Sequence, residues 1–392
     1  MLMAQDPNTN VKLLLKRAQY LLEEGRREQA LSLLESMQTD DERELKERAY
    51  LLGWCYTLLR RWDDALSTLA PISTLAELAE AEAESTRDKK LVRCLLLLGD
   101  AAVNQARYEN ASRHYMKCLK VLHTKKLDLP LEHAKAYYGL ATTQCMRGLY
   151  PASEQSYHEA EKCIMRAQDV DSIEHGNIAY GLAYLYLAIG KYVDAEQVAK
   201  QAVRYYKESY SEQRDHHIGL TYNMLGDIAN LLGDYREASD YYTQALSIAP
   251  KYSGTRMCML ICVGLANVRV AENRFEEADE FCERALEYAK QIQLEEKDEQ
   301  LVGLVYLTFG KVAQKKANNG DLSRREYYLQ EALNWFEKAE KKFKPTQSYA
   351  HVAELYGLWA QTLEDLGQPQ EALRCWKHGY EALSEAKGPS LH

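Results

Sequence analysis

The chain of 392 residues is 46% hydrophobic and 27% charged, with only 8 prolines and 20 glycines, which excludes collagen-like, low-complexity and disordered proteins. Its 49 basic and 58 acidic residues give a net charge of −9, which disfavours direct binding to nucleic acid or to an anionic membrane. No apolar stretch approaches the ~20 residues of a membrane helix, and the start of the chain lacks the pattern of a secretory signal. These features predict an ordered cytoplasmic protein.

A repeated pattern of turn, aromatic and small residues runs along the chain, as in GKYVDAEQVAKQAV at 190–203 and GDYREASDYYTQALSIAP at 233–250. One small residue recurs in every copy and is called the anchor here. The anchors, in chain order, are Ala30, Ala65, Ala111, Ser153, Ala195, Ala238, Ala278, Ala332 and Ala372. Most successive anchors are 40 to 46 positions apart, a period typical of stacked helix pairs with long repeats.

A second small residue lies twelve positions before the anchor in eight of the nine copies. These residues are Ala18, Gly53, Gly99, Ala141, Ala183, Gly226, Ala266 and Ala360. Small side chains on both helices of a pair allow the two backbones to approach closely. In the eighth copy Gly310 takes this role although it lies farther from its anchor, and Asn318–Asp321 is predicted to loop out the excess.

The pattern resembles the tetratricopeptide (TPR) repeat over residues 11–384. The copy that resembles it best contains Tyr222, Leu225-Gly226, Gly233-x-Tyr235, Ala238, Tyr242, Ala245 and Pro250. The resemblance implies an all-α fold, a right-handed α-solenoid of about nine helix pairs, with a flexible tail at 1–10 and another at 385–392. It also implies that the first helix of each pair lines a concave groove. The acidic run Ala76–Glu84 after Pro71 is either a solvated helix extension or a flap across that groove.

By analogy with this family, groove side chains lie 18, 15, 11 and 8 positions before each anchor. The polar and aromatic members of this set are Arg93, Asp100, Lys135, Tyr138, Thr142, Asn177, Tyr180, Tyr184, Asn223, Asp227, Asn230 and Asn267. A carboxamide both donates and accepts, so spaced asparagines match the peptide units of an extended ligand. Tyrosines would form pockets, and the charged members would bind termini or charged groups. Taken singly, each residue is better explained by hydrogen bonds to water or to neighbouring helices, whereas the cluster as a whole favours a ligand groove.

No motif for catalysis or cofactor binding occurs: GxxxxGK[ST], GxGxxG, HExxH and GxSxG are all missing from the sequence. The nine cysteines form no CxxC motif, and neither Cys258 with Cys262 nor His114 with Cys118 supplies enough ligands for a metal. The pair His216-His217 is predicted to decorate a turn between repeats. The sequence therefore predicts no catalytic residue, no metal and no cofactor.

The long repeats resemble the sensor domains of bacterial peptide-responsive regulators of the Rap and PlcR types, above all in 354–377. This resemblance implies a groove that binds a short peptide and a change of shape that regulates an output, transcription among the candidates. Such regulators carry a further N-terminal domain, and only a short segment precedes the first repeat here, so the output is expected to act through another protein unless a DNA-binding part has been removed. A sugar-sensing solenoid like that of MalT and a scaffold that assembles partner proteins, with or without a homodimer, remain alternatives. The set of Lys, Asn and Arg residues by which some TPR proteins bind the acidic tails of chaperones is not found. In the sixth copy, Asn223 occupies a place of that set, but Asp227 at the next place would repel a carboxylate.

Overall fold

The computed structural model describes residues 7–72, 84–252, 254–296, 299–319, 322–343 and 349–386, and every regular element in these ranges is helical. The chain divides into two compact units, Met1–Gly190 and Lys191–His392. The first unit contains α1 (Pro7–Glu23), α2 (Arg27–Ser36), α3 (Glu42–Leu58), α4 (Trp62–Leu69), α5 (Glu84–Asn104), α6 (Tyr108–Thr124), α7 (Pro130–Met146), α8 (Tyr150–Ile164) and α9 (Ser172–Ala188). The second contains α10 (Tyr192–Glu208), α11 (Arg214–Leu232), α12 (Tyr235–Tyr252), α13 (Gly254–Ala271), α14 (Phe275–Glu296), α15 (Glu299–Asn319), α16 (Arg325–Phe343), α17 (Tyr349–Asp365) and α18 (Pro369–Ala386), with a 3₁₀ turn at Leu322–Arg324.

Short turns join the two helices of a pair and share one hydrogen-bond pattern. In seven of them a residue with positive φ ends the first helix, and the next N–H donates to the carbonyl five positions earlier. This is the Schellman end of a helix, which satisfies carbonyls left without a partner. The positive φ falls on glycine in four turns and on Arg60, Ala106 and Asn273 in the others. The turn residues of the repeated sequence pattern therefore lie where the first helix of a pair ends and the chain turns into the second helix.

The anchors form the core of the pairs, since all nine are at most 1% exposed on the second helices. The residue four positions after an anchor fills the space beside the small residue of the first helix. A Cβ added to Gly99 would lie 2.4 Å from the Tyr115 ring, and one added to Gly226 would lie 2.6 Å from the Tyr242 ring. The all-α solenoid fold of helix pairs is thus confirmed, because these close approaches require the predicted packing.

The eighth pair keeps this packing despite its longer spacing. A Cβ on Gly310 would lie 2.3 Å from Phe336, four positions after the anchor Ala332. The predicted loop is wrong for Asn318 and Asn319, because both belong to the last turn of α15. Continuing the helix satisfies backbone groups that a loop would expose. Residues 320 and 321 lie outside the described ranges.

Three predictions about the ends and links of the chain fall largely on residues that are not described. The acidic run lies at 76–84, of which only Glu84 is described, as the first residue of α5. The tails predicted at 1–10 and 385–392 are described only where α1 begins at Pro7 and where α18 ends at Ala386. Helix α4 ends at Leu69, two positions before Pro71, which cannot continue a helix.

Helix α13 corrects the expectation about apolar stretches. Over Gly254–Ala271 its mean hydropathy is 1.3, and among the described helices it alone is long and apolar enough to be compared with a membrane span. However, 56% of that window is buried inside the protein. Its buried Met259, Cys262 and Val263 belong to one cluster with residues of α14 and α15. A helix enclosed by neighbours needs apolar residues on most of its faces, which explains the composition.

Candidate functional site

The twelve predicted groove residues lie on first helices, and we call the stripe that they form within each unit the first-helix surface of that unit. In the first unit the stripe follows α5, α7 and α9, and in the second it follows α11 and α13. Most of its side chains are half-buried, whereas Arg93, Asp100 and Tyr184 are exposed. A half-buried polar side chain keeps access to a ligand while its geometry is limited by its neighbours.

Three of the predicted residues hold a tyrosine of the core. The carboxylate of Asp100 accepts a hydrogen bond of 2.7 Å from the Tyr115 hydroxyl, and Asp227 accepts one of 2.6 Å from Tyr242. The Thr142 hydroxyl donates to the carbonyl of Tyr138 and lies within hydrogen-bond distance, 3.2 Å, of the Tyr157 hydroxyl. Asp100, Thr142 and Asp227 are thus tied to packing.

The tyrosines explain why these hydrogen bonds recur. Tyr115 lies between Gly99 of its own pair and Gly139 of the next pair, whose added Cβ would come within 2.3 Å of the ring. Tyr242 lies in the same way between Gly226 and Gly264. Each ring therefore packs two first helices together and presents its hydroxyl at the first-helix surface, where a polar acceptor is required.

Lysine and arginine on this surface pair with glutamates of the next first helix. Lys135 and Glu174 are 2.7 Å apart, and Arg93 and Glu132 are 3.9 Å apart. In both cases the basic residue lies 18 positions before the anchor of its own repeat. The glutamate lies 21 positions before the anchor of the following repeat. We call such an ion pair a rung. Lys135 and Arg93, predicted to bind ligand charges, already have a partner of opposite charge.

A third rung has its charges reversed. Relative to their anchors Ala65 and Ala111, Glu47 takes the place of the basic residue and Lys90 takes the place of the glutamate. The two charged groups are 2.5 Å apart, and both side chains are about a quarter exposed or less. Partly exposed ion pairs contribute about 1 kcal/mol or less to stability. The rungs mainly fix the register of adjacent first helices.

Tyr138 is half-buried, and charged side chains of the same surface lie close enough to act on it. Removal of water by the surrounding helices raises the pKa of Tyr138 to about 12, and the charges of Asp100 and Glu174 act in the same direction. The same loss of water raises the pKa of Asp100, although part of its side chain reaches solvent, while Tyr115 and Lys135 lower it. Asp100, Lys135, Tyr138 and Glu174 thus form one electrostatically coupled cluster.

The remaining predicted residues of the first unit lie on α9. Tyr184 is 43% exposed, and burial raises its pKa, with Cys145, Tyr108 and Tyr150 close enough to contribute. Asn177 and Tyr180 are half-buried, and each has an interaction partner. Tyr184 is therefore the most accessible aromatic side chain of the predicted set.

The asparagines of the second unit differ in how well they are satisfied. The Asn223 amide donates to Asp227 over 3.4 Å, whereas its carbonyl oxygen is buried and has no partner among the described residues. Burial raises the pKa of Asp227 to about 6, against the effect of the Tyr242 hydroxyl. No side-chain hydrogen bond of Asn230 or Asn267 is found within the described ranges. These amides remain able to bind a ligand.

Sequence reasoning missed the partners of the predicted residues. The two tyrosines that bind Asp100 and Asp227 follow them by 15 positions in both repeats, so a search for a fixed polar–tyrosine spacing would have found them. Glu132 and Glu174 lie one helical turn before the positions that were considered. The glutamate that reaches back to the preceding repeat therefore lies one helical turn farther from its own anchor than the basic residue does from its anchor.

The described residues contain no group of three or more His, Cys, Asp or Glu side chains placed to hold a metal ion. Seven of the nine cysteines are buried, and Cys163 and Cys375 are partly buried. The prediction for the histidine pair is wrong, because His216 and His217 lie inside the first turn of α11. His217 stacks on Tyr206 with ring centroids 5.1 Å apart.

The model of the family described as MalT-like TPR region matches residues 93–354. This segment is more than half of the chain, so the chain belongs to that family. The search of curated proteins found no match.

Solved structures share the fold over nearly the whole chain. The apo form of the quorum sensor NprR from B. thuringiensis has a TM-score of 0.69 at 15% identity and covers 96% of this chain and 100% of its own. The apo form of RapI has a TM-score of 0.67 at 13% identity and covers 97% and 99%. A Rap protein complexed with Competence and Sporulation Factor has a TM-score of 0.63 at 15% identity and covers 96% and 98%. The predicted resemblance to this group of regulators is confirmed, and identities this low establish the fold alone.

Proposed function

We propose that this chain is a cytoplasmic, non-enzymatic sensor that binds a short peptide, or an extended segment of a partner protein, on its first-helix surface. Binding changes the shape of the helix stack and so regulates another protein, transcription being one candidate output. Neither nucleic acid nor a membrane is contacted directly. The observation that carries the proposal is the buried carbonyl oxygen of Asn223, which lacks a partner among the described residues beside the half-buried Asp227.

The chemistry of this surface supports a peptide as the ligand. A buried acceptor without a partner costs about 1–3 kcal/mol, and a backbone N–H of an extended peptide would recover that cost. Asn230 lies two helical turns after Asn223 on the same helix, and Asn267 lies on the next first helix. Amides at such intervals bind a backbone irrespective of its side chains. The likeness to structures solved with peptides also favours this ligand class.

Stacked repeats supply the change of shape. Each helix pair contacts mainly its neighbours, so small rotations accumulate along a stack. A ligand that touches several first helices would favour one set of rotations. Coupling of this kind requires only that the ligand bind one arrangement more tightly than the other.

The test is selection of heptapeptides from a random library on the full chain, followed by calorimetric titration of the selected peptides. We expect Asn223→Ala and Asn267→Ala each to weaken binding about tenfold, as expected for losing a buried hydrogen bond. The matched control is Asn110→Ala, an exposed asparagine of α6. Binding that is equal in all three variants, or no selected peptide that binds, would overturn the proposal.

A second candidate function, a scaffold that assembles protein partners, is favoured by the last helix. On α18 Leu373 is 70% exposed, Trp376 40% and Tyr380 74%, and their spacing places them on one face. Large exposed apolar patches mark interaction surfaces. Light scattering of the wild type and of Tyr380→Glu tests this candidate, because a homodimer through this face would dissociate in the variant. A monomer in both proteins would remove the homodimeric form of the scaffold.

A further inference from the structure

The ladder of rungs in the first unit has one position where the expected ion pair is not formed. By the spacing of the other rungs, Lys12 of α1 should pair with Glu44 of α3. Lys12 lies 18 positions before the anchor Ala30, and Glu44 lies 21 positions before the anchor Ala65. The three later rungs are closed, yet no ion pair of Lys12 or Glu44 occurs in the described part of the chain.

A cavity of about 400 Å³ occupies the place of the missing rung. Lys12 and Glu44 both line it, together with Leu15, Lys16, Arg43 and Tyr50. Lys12, Lys16 and Arg43 are exposed, and among the described residues none of them has an ion-pair partner. Lys46 and Lys90 are already paired, with Glu42 and Glu47. The cavity therefore presents three uncompensated cationic groups in a chain of net charge −9.

Glu44 gives the cavity an acceptor of hydrogen bonds. Glu44 is only 3% exposed. One carboxylate oxygen accepts from the Thr39 hydroxyl at 2.6 Å, whereas Oε1 is buried without a partner in the described ranges. A buried carboxylate oxygen without a donor is costly and calls for a partner. A simple anion would leave that oxygen unsatisfied and would face its negative charge.

We propose that this cavity binds an α-amino-acid unit with a free carboxylate, which takes the place of the missing rung. The carboxylate of the ligand lies against Lys12, Lys16 and Arg43, and its N–H group donates to Oε1 of Glu44. Leu15 and Tyr50, both buried, form the apolar wall for its side chain. The unit is either a free amino acid or the C-terminal residue of a peptide, because both carry a carboxylate beside an N–H donor.

The residues proposed to contact the ligand lie on the first and second pairs, and of the lining only Lys90 belongs to the third pair. None of these residues is among those assigned to the peptide above. The site therefore stands or fails independently of the proposed function. Its volume falls within the range of small-molecule sites. The mixed charge of its lining selects a ligand with both a carboxylate and a donor, and rejects ligands that have only one of the two.

The experiment is calorimetric titration of the full chain with L-leucine, N-acetyl-L-leucine, L-leucinamide and inorganic phosphate, each up to roughly 10 mM. We expect one or both carboxylate-bearing leucines to bind, and leucinamide and phosphate to bind at least about tenfold more weakly. Tighter binding of L-leucine identifies a free amino acid, and tighter binding of N-acetyl-L-leucine identifies a peptide terminus. Absence of saturable binding by both, or equal binding of leucinamide or phosphate, would overturn the proposal.

Variants locate the binding. The exposed pair Lys12→Gln with Lys16→Gln should weaken binding about tenfold, whereas Lys120→Gln on the exposed face of α6 should not change it. Glu44→Gln keeps an acceptor oxygen and removes the charge, so it should weaken L-leucine more than N-acetyl-L-leucine. Because Glu44 also accepts from Thr39, the melting temperature of that variant is measured alongside. Equal affinities in the double variant and the control would refute the location.

Discussion

Replacing Gly139 by alanine tests whether a tyrosine wedged between two glycines sets the spacing of the first helices. The added Cβ would lie 2.3 Å from Cζ of Tyr115, closer than side-chain carbons come in proteins. The ring has little room to move, because it is 1% exposed and Gly99 of its own pair also packs against it, so that a Cβ on Gly99 would lie 2.4 Å from Cε1. Overpacking of this kind costs about 1–3 kcal/mol, while alanine in a helix gains about 1 kcal/mol over glycine.

The matched control is Gly357→Ala in α17, where the nearest atom to the added Cβ is 3.7 Å away on Trp376. We expect the control to gain up to about 1 kcal/mol in free energy of unfolding and Gly139→Ala to lie about 1–3 kcal/mol below it. Urea unfolding followed by circular dichroism measures both. Combining Gly139→Ala with Tyr115→Leu should recover part of the loss, since residues in contact couple. If Gly139→Ala is as stable as the control, the wedge argument is wrong.

Three further predictions concern a carboxylate, the turns and a rung. Because the pKa of Asp227 is about 6 in the folded protein and about 3.9 in an unfolded chain, the folded state binds more protons between these values. The free energy of unfolding therefore falls by up to about 3 kcal/mol as the pH rises through this window. The variant Asp227→Asn should lack this fall when urea unfolding is compared at about pH 4 and pH 7. A pH dependence equal to that of the wild type contradicts the assignment. Ala106 has φ of 56° and Gly148 has φ of 73°, a backbone conformation that favours glycine. Ala106→Gly should therefore raise the free energy of unfolding by about 1 kcal/mol, and Gly148→Ala should lower it by a similar amount. Shifts of the same sign would refute this. Lys135→Gln should cost less than about 1 kcal/mol because its rung is partly exposed, and a larger loss in urea unfolding would show that the rung does more than fix the register.

Much of the fold could be predicted from the sequence because the repeat encodes contacts within one pair. The small anchor and the small residue twelve before it lie on two helices joined by a short turn, so their meeting depends only on local geometry. The eighth pair shows this best, since Gly310 was assigned correctly although the spacing had changed. The error at Asn318 and Asn319 arose because turn-forming residues were given more weight than the continuation of a helix.

The candidate surface could be predicted only in part. Its residues were placed on the first helices by counting from the anchors, and the helices do carry them. Counting positions from the anchors could not show which side chains already have a partner. Lys135 and Arg93, for example, pair with glutamates of the following repeat. Pairing across repeats depends on how far apart two backbones lie, and the sequence pattern does not contain that distance.

By itself, the sequence determined that this protein is a stack of helix pairs with a polar stripe on the first helices. A period of small residues requires close helix packing whatever the remaining side chains are. Only the tertiary structure decided that Asp227 accepts a hydrogen bond from Tyr242. It also decided that, among the described residues, the Asn223 carbonyl oxygen has no partner and Lys12 and Glu44 form no ion pair. The reason is that hydrogen bonds and ion pairs form only within a few ångströms, and the folded arrangement of helices sets those separations.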